Sequence, residues 1–176
     1  IDPVPGINNL QAHRLHLKSN VKEYVGFFSR DERSKGFACV VPSTYPGTRK
    51  HIYPLPGRHA TLVGNASADG AGGGKVLPEP GMIVRHFAET CLGRWGVGLH
   101  KPLKLSARQV ADCQAAMDRD DPRYQGMRRH SYTLLTESDD GHRFVHQGDV
   151  GKPFPYVRGP QLSPQVGLDV GTWRSV

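Results

Sequence analysis

The stretch SARQVADCQAAMDR, residues 106–119, predicts the one main helix of the chain. Ser106 and Gln109 have the spacing of a capping box, in which each side chain bonds the other residue's backbone N–H. Val110, Cys113 and Met117 then fall on a single helical face, as an amphipathic helix requires. The residues Asp-Asp-Pro at 120–122 end the helix.

Strand patterns dominate the chain before this helix. Alternating residues from His13 onward, then residues 24–28 and 36–41, predict strands, and residues 29–35 form a charged turn between the last two. Residues 54–57 contain two prolines and predict a lead into a strand over 59–64. Residues 82–90 fit a short helix or a strand equally well. We therefore expect a sheet-rich α+β fold in a single domain over residues 1–176.

The residues after the main helix predict a C-terminal hairpin and an irregular tail. The stretch HSYTLLTESDDGHRFVHQGD, residues 130–149, has a three-residue loop ending in glycine at 139–141. Strand alternation places four polar rings on one face: His130, Tyr132, His142 and His146. Beyond this hairpin, Phe154, Tyr156 and Trp173 are the predicted anchors of a tail over 151–176.

Composition narrows the classes of partner. The 176 residues carry a net charge of +7, which favours an anionic partner such as RNA. The three cysteines, Cys39, Cys91 and Cys113, lack paired spacing, so a disulfide framework is not expected. No apolar run approaches 18 residues, which argues against a membrane span. The first residue is Ile1, as in an excised or processed domain, so secretion or delivery stays open as a localisation.

Motifs for metals and nucleotides are incomplete. The glycine-rich loop at 65–75 lacks the spacing of a phosphate-binding loop, because Lys75 is followed by Val76. Neither a zinc-protease nor a deaminase motif occurs. Since four strand residues span about 13 Å, His142 and His146 cannot bind one metal ion together. We expect no cofactor and no metal.

These features lead to a hydrolase as the first functional hypothesis. Metal-independent cleavage of RNA needs an acid and a base with pKa values near neutrality, usually histidines. His142 and His130 are the predicted acid and base, His146 is the reserve, and Tyr132 donates a hydrogen bond. His59 supplies a further histidine. This hypothesis describes a basic ribonuclease of bacterial toxin or effector type, with an inhibitor or immunity protein as a further partner.

Two alternatives stay open beside it. His59 opening an alternating strand, together with residues 131–138, resembles papain-like hydrolases of the NlpC/P60 type, where Ser138 or Asp139 stands in place of their cysteine. That resemblance implies a cysteine amidase or peptidase. The other alternative is a non-enzymatic module that binds an anionic or protein partner, with histidines that only pack or face solvent.

Overall fold

The computed structural model describes residues 1, 3, 16–32, 41–65, 76–127, 143–144, 153–154 and 161–168. These residues form a small α+β domain. In chain order its elements are β1 (Glu23–Ser29), β2 (Arg49–Leu55), α1 (His59–Leu62), α2 (Glu79–Arg94), α3 (Ala107–Arg119), α4 (Asp121–Gly126), β3 (Arg143–Phe144) and β4 (Pro153–Phe154). Among the described helices, none is long and apolar enough to cross a membrane.

Strands β1 and β2 pair in parallel, from Glu23 opposite Arg49 to Ser29 opposite Leu55. The strand predicted over residues 24–28 is confirmed. The prediction that residues 54–57 only lead into a strand is wrong, because Pro54 and Leu55 belong to β2. Within the described residues, β2 pairs with β1 alone, and proline is tolerated in such an edge strand.

Helix α3 confirms the helix predicted over residues 106–119. The Ser106 hydroxyl accepts from the Gln109 N–H at 3.3 Å, and the Gln109 side chain accepts from the Ser106 N–H at 2.9 Å. Its side chains Cys113 and Met117 are buried. The helix ends at Asp120, as the sequence indicates.

Helix α2 resolves the ambiguity over residues 82–90, because they lie inside a 16-residue helix. Its buried side chains recur at helical spacing: Pro80, Ile83, Val84, Phe87 and Cys91. Pro80 sits in the first turn, where its missing N–H costs nothing. Since α2 is longer than the 13-residue α3, the prediction of one main helix is wrong. Sheet also fails to dominate the described residues, because neither strand of the β1–β2 pair exceeds seven residues.

The core lies where β1 and β2 pack against α2, α3 and α4. Phe27 and Tyr53, on adjacent strands, stack with ring centroids 5.6 Å apart. Phe87 of α2 meets Tyr53 edge-on at 6.3 Å. Tyr124 lies in α4 and Met127 follows it, and both side chains are fully buried in the core. Burial of these apolar side chains is the main stabilising contribution to the fold.

The amino end of β1 is tied to a turn near the C-terminus through Glu23, whose side chain is 1% exposed. Its carboxylate accepts hydrogen bonds from the Trp95 indole at 2.7 Å and the Gly167 N–H at 2.9 Å. Arg49 and His51 approach it from β2 at 3.3 and 3.1 Å. Burial by itself raises the pKa of Glu23. The hydrogen-bond donors and Arg49 together lower this pKa by more than burial raises it, so the net shift is downward.

The predicted hairpin over residues 130–149 lies outside the described residues except at Arg143–Phe144. These two residues pair in antiparallel fashion with Pro153–Phe154. Residues 36–40, Tyr156 and Trp173 also lie outside. Val166, which the sequence analysis did not single out, is buried in the 161–168 turn.

Candidate functional site

Polar side chains gather at the carboxyl ends of β1 and β2. Because the two strands are parallel, residues 30–32 and 57–59 leave the sheet at the same edge. The backbone of the two segments stays paired there: the Arg30 N–H donates to Leu55 O at 2.8 Å, and the Asp31 N–H donates to Gly57 O at 3.0 Å. Ligands of parallel sheets commonly bind at this edge. We name the polar residues at this edge the strand-end cluster: Arg30, Asp31, Glu32, Arg58, His59 and Asp121.

Arg30 is the centre of the strand-end cluster and is 2% exposed. Its Nε lies 2.8 and 2.9 Å from the two carboxylate oxygens of Asp31, and its Nη1 lies 2.6 Å from Asp121 Oδ1. Burial lowers the pKa of Arg30, but the two carboxylates raise it and prevail. The Asp31 carboxylate also accepts from the Gly57 N–H at 2.8 Å. Arg30 therefore links the end of β1 to α4.

Arg58 makes a second link across the same edge and is 1% exposed. Its Nε donates to Met127 O at 3.0 Å, and its Nη2 donates to the same oxygen. Met127 follows α4, so Arg58 satisfies a carbonyl at the end of that helix. Gly57, with φ of 103°, turns the chain so that Arg58 can enter the interior.

His59 is half-buried at the start of α1. Its backbone N–H donates to Glu32 Oε2 at 3.4 Å, and Glu32 is 5% exposed. A histidine that solvent reaches therefore lies beside the loop that carries a buried carboxylate. The hydrogen bond comes from the backbone of His59, so it holds the start of α1 against Glu32 and does not pair the imidazole with the carboxylate.

The strand predicted over residues 59–64 is wrong, because this segment begins with the one-turn helix α1. The Arg58 N–H donates to the Thr61 hydroxyl at 3.2 Å and starts the turn. Thr61 and Leu62 both face the interior. A helix of four residues is too short for its periodicity to be told from the alternation of a strand.

Two further polar groups reach the core next to this edge. Tyr124 is fully buried, and its pKa is raised by burial and by the charges of Glu79, Asp120 and Asp31. The Tyr124 hydroxyl and Glu79 Oε2 are buried, and neither has a hydrogen-bond partner within the described part of the chain. Buried polar groups normally have such partners, which marks this edge as different from the rest of the core.

No protein-family model, curated protein or solved structure matches the chain.

Of the five residues predicted for the site, the structure locates His59. The other four, His130, Tyr132, His142 and His146, lie outside the described residues. Within the described ranges, no three His, Cys, Asp or Glu side chains are grouped to hold a metal ion.

The cysteines bear on the amidase alternative. Burial raises the pKa of Cys91 to about 11 and also raises that of Cys113. A buried thiol with a raised pKa holds little thiolate at neutral pH and is a poor nucleophile. His59 also does not open a strand, contrary to the resemblance. The other positions named for a nucleophile in this alternative, Cys39, Ser138 and Asp139, lie outside the described residues.

The sequence analysis missed Arg30, Asp31, Glu32 and Arg58 as members of a site. The sequence predicts only a charged turn over residues 29–35, and charged residues are rarely buried. One signal was available: Arg30, Asp31 and Glu32 directly follow the apolar strand β1, and Arg58 follows a Pro-Gly turn after β2.

Proposed function

We propose that this protein is a hydrolase that uses histidine acid–base chemistry on an anionic substrate, with RNA as the substrate. The proposal depends on one observation above the others. A half-buried histidine, His59, lies at the carboxyl ends of two parallel strands, where its backbone N–H donates to the buried Glu32 carboxylate. The net charge of +7 favours the approach of a polyanion.

The cation that holds the phosphate must come from outside the buried ion pairs. Arg30 is engaged by Asp31 and Asp121, and Arg58 by Met127. Arg128 and Arg129 follow Met127 directly in the sequence and precede His130. Three peptide units separate His130 from Met127, and each spans about 3.8 Å. We assign phosphate binding to these two arginines.

Cleavage of RNA needs two proton transfers, since RNA carries its own nucleophile. A basic imidazole removes the proton of the 2′-hydroxyl, and O2′ forms a bond to phosphorus. The bond from phosphorus to the 5′ oxygen then breaks, and an imidazolium protonates that oxygen. His130 and His142 are assigned these two roles, His146 is the reserve, Tyr132 donates to the phosphate, and His59 contacts the substrate from the sheet edge.

The test is cleavage of a 5′-labelled single-stranded RNA by the purified protein in the presence of EDTA. The parent should release a fragment ending in a 2′,3′-cyclic phosphate. His130→Ala and His142→Ala should each lose about 10²- to 10⁴-fold in rate, the usual contribution of a catalytic acid or base. His100→Ala is the matched control, because His100 is exposed. If the parent does not cleave, or the variants cleave as fast as the parent, the assignment is wrong.

A second candidate, the non-enzymatic binding module, has one observation in its favour. Arg30, Asp31 and Asp121 pair with one another in the interior, as charged residues do in a purely structural network. A module of this kind binds labelled RNA without cleaving it. Fluorescence anisotropy at several salt concentrations distinguishes the two, since phosphate contacts weaken steeply with salt. Salt-sensitive binding with no product would favour the module.

A further inference from the structure

A groove with a volume of about 360 Å³ lies between α2, α3 and the turn at residues 161–162. His86, Thr90 and Arg94 line it from α2, at positions i, i+4 and i+8. This spacing places the three side chains along one face of the helix. At 1.5 Å per residue, the stripe is about 12 Å long, so the groove suits an elongated ligand.

The floor of the groove is apolar, and its facing wall is mixed. Phe87 and Leu105 form part of the floor, and the facing wall consists of Val110, Ala111, Gln114, Gln161 and Leu162. Among the described residues that line the groove, none is an aspartate or a glutamate. The groove therefore combines a largely apolar interior with two neutral amides and no negative charge of its own.

Two polar groups along the stripe are already used by the backbone. His86 Nδ1 lies 3.0 Å from Leu103 O, and the Thr90 hydroxyl donates to His86 O at 2.7 Å. The acid nearest in sequence, Glu89, pairs with Arg85 at 2.8 Å and accepts from the Leu103 N–H, so it is engaged away from the groove. These backbone contacts leave His86 Nδ1 and the Thr90 hydroxyl less available to a ligand in the groove.

Arg94 differs from these groups. Its Nη1 donates to Ser163 O at 2.8 Å and to Val166 O at 3.4 Å, which fixes the guanidinium at one end of the stripe. In the described part of the chain, no carboxylate forms an ion pair with Arg94. A fixed guanidinium with donors left over is suited to a carboxylate, which it can bind with two parallel hydrogen bonds.

We propose that this groove binds a small monocarboxylate with an elongated apolar body. The carboxylate lies against Arg94, and the apolar body extends between α2 and α3 toward His86. The volume falls at the lower end of the range for small-molecule sites, about 300 to 1,000 Å³, which fits a molecule of this size. The site is separate from the strand-end cluster and does not depend on the proposed hydrolase function.

Octanoate is the probe, and octan-1-ol is its uncharged match. Isothermal titration calorimetry of the full chain should show saturable binding of one octanoate, at least about tenfold tighter than octan-1-ol. Arg94→Gln should reduce octanoate binding to the level of octan-1-ol. Ala111→Phe, at an exposed position that lines the groove, should block both ligands.

Controls separate the site from general effects on charge or folding. Arg108→Gln removes a cation of the same type from a side chain that is 92% exposed and should leave octanoate binding unchanged. Arg94→Lys retains the charge but cannot form the two parallel hydrogen bonds, so its preference for octanoate should fall between those of the parent and Arg94→Gln, and this partial loss tests the site if Arg94→Gln unfolds. Equal binding of octanoate and octan-1-ol by the parent overturns the proposal. Full binding by Ala111→Phe, or equal losses in Arg94→Gln and Arg108→Gln, also overturns it.

Discussion

Each end of the β1–β2 pair has a polar network centred on one buried charged residue. The central residue is an acid, Glu23, at the amino end and a base, Arg30, at the carboxyl end. At the amino end, Glu23 is surrounded by donors and cations from β2, from Trp95 and from Gly167. At the carboxyl end, Arg30 is surrounded by the carboxylates of Asp31 and Asp121. Both networks join segments that are distant in the sequence.

The two ends differ in how completely their polar groups are satisfied. The Glu23 carboxylate has partners for both oxygens. Beside the Arg30 network, the Tyr124 hydroxyl and Glu79 Oε2 have no hydrogen-bond partner within the described residues. Each end also carries a half-buried histidine, His51 at the amino end and His59 at the carboxyl end. The comparison teaches that the carboxylate of the amino end is fully engaged, whereas the carboxyl end leaves two buried oxygen atoms without partners in the described part of the chain.

The largest expected effect comes from removing the cation at the carboxyl end. Arg30→Met leaves Asp31 and Asp121 buried without their shared guanidinium, and breaking a buried pair in this way costs about 3–5 kcal/mol. Urea unfolding followed by circular dichroism measures the loss. Arg108→Met is the control, because that side chain is 92% exposed and its pair with Asp112 should contribute well under about 1 kcal/mol. Equal effects of the two substitutions would contradict the picture of a buried network.

Removing the charge at the amino end should have a smaller effect that depends on pH. Glu23→Gln keeps the size of the side chain but loses the charge that four partners recognise, at a cost of about 1.5–3 kcal/mol near pH 7. The lowered pKa of Glu23 stabilises the folded state above the unfolded-state value of 4.5, and this stability is lost as pH falls through the folded-state pKa. The difference in unfolding free energy between parent and variant should therefore shrink below about pH 4. A difference that is constant from pH 7 to pH 3 would contradict a stabilising role for the Glu23 charge.

A glycine substitution at the carboxyl end should have an effect of about 1–2 kcal/mol. Gly57 has a φ of 103°, and a Cβ there would lie 2.9 Å from the Thr61 side chain. Gly57→Ala should thus strain the turn and displace α1 with His59. Gly47→Ala is the matched control, since Gly47 has a φ of 89° and a Cβ there would meet nothing within 4 Å. Gly57→Ala should lower the free energy of unfolding more than Gly47→Ala does, by the cost of the contact with Thr61. Equal losses in the two variants would show that this contact does not affect stability.

The smallest effect concerns the reactivity of the two buried thiols. Cys91 senses the charge of Glu23 at one end, and Cys113 senses that of Glu79 near the other. Both should react slowly with iodoacetamide in the folded protein at pH 8. Glu23→Gln should speed the labelling of Cys91 by loosening the amino end, with little change at Cys113. Mass spectrometry of the digested protein resolves the two sites, and equal acceleration would indicate global rather than local opening.

The sequence predicts elements whose signals are local. The capping box at Ser106 and Gln109 identified α3, and the apolar run at residues 24–28 identified β1. Strand β2 was missed because Pro54 argues against a strand unless its partner is known. Helix α2 was left undecided because Pro80, Gly81 and Gly93 weaken its helical propensity, and packing of its buried face overrides that weakness.

The candidate site was harder to predict for a related reason. Burial of Arg30 and Arg58 depends on partners 69 or more residues away, Met127 for Arg58 and Asp121 for Arg30. A charged turn and a buried ionic network have the same sequence signature until the fold brings those partners together. Only His59, among the predicted residues, could be compared with the structure, and it was placed on the wrong kind of element.

The hydrogen bond between Gly167 and Glu23 has a consequence for the order of folding. It joins residues 144 positions apart, and a contact of such high sequence separation forms only after a long loop has closed. During synthesis, the partners of Glu23 on β2 and at Trp95 emerge first, and the Gly167 N–H is the last of the four to leave the ribosome. The contact of α2 with α3 spans a much shorter loop and can form before it. The Gly167 amide is therefore expected to be among the last to become protected from hydrogen exchange during refolding.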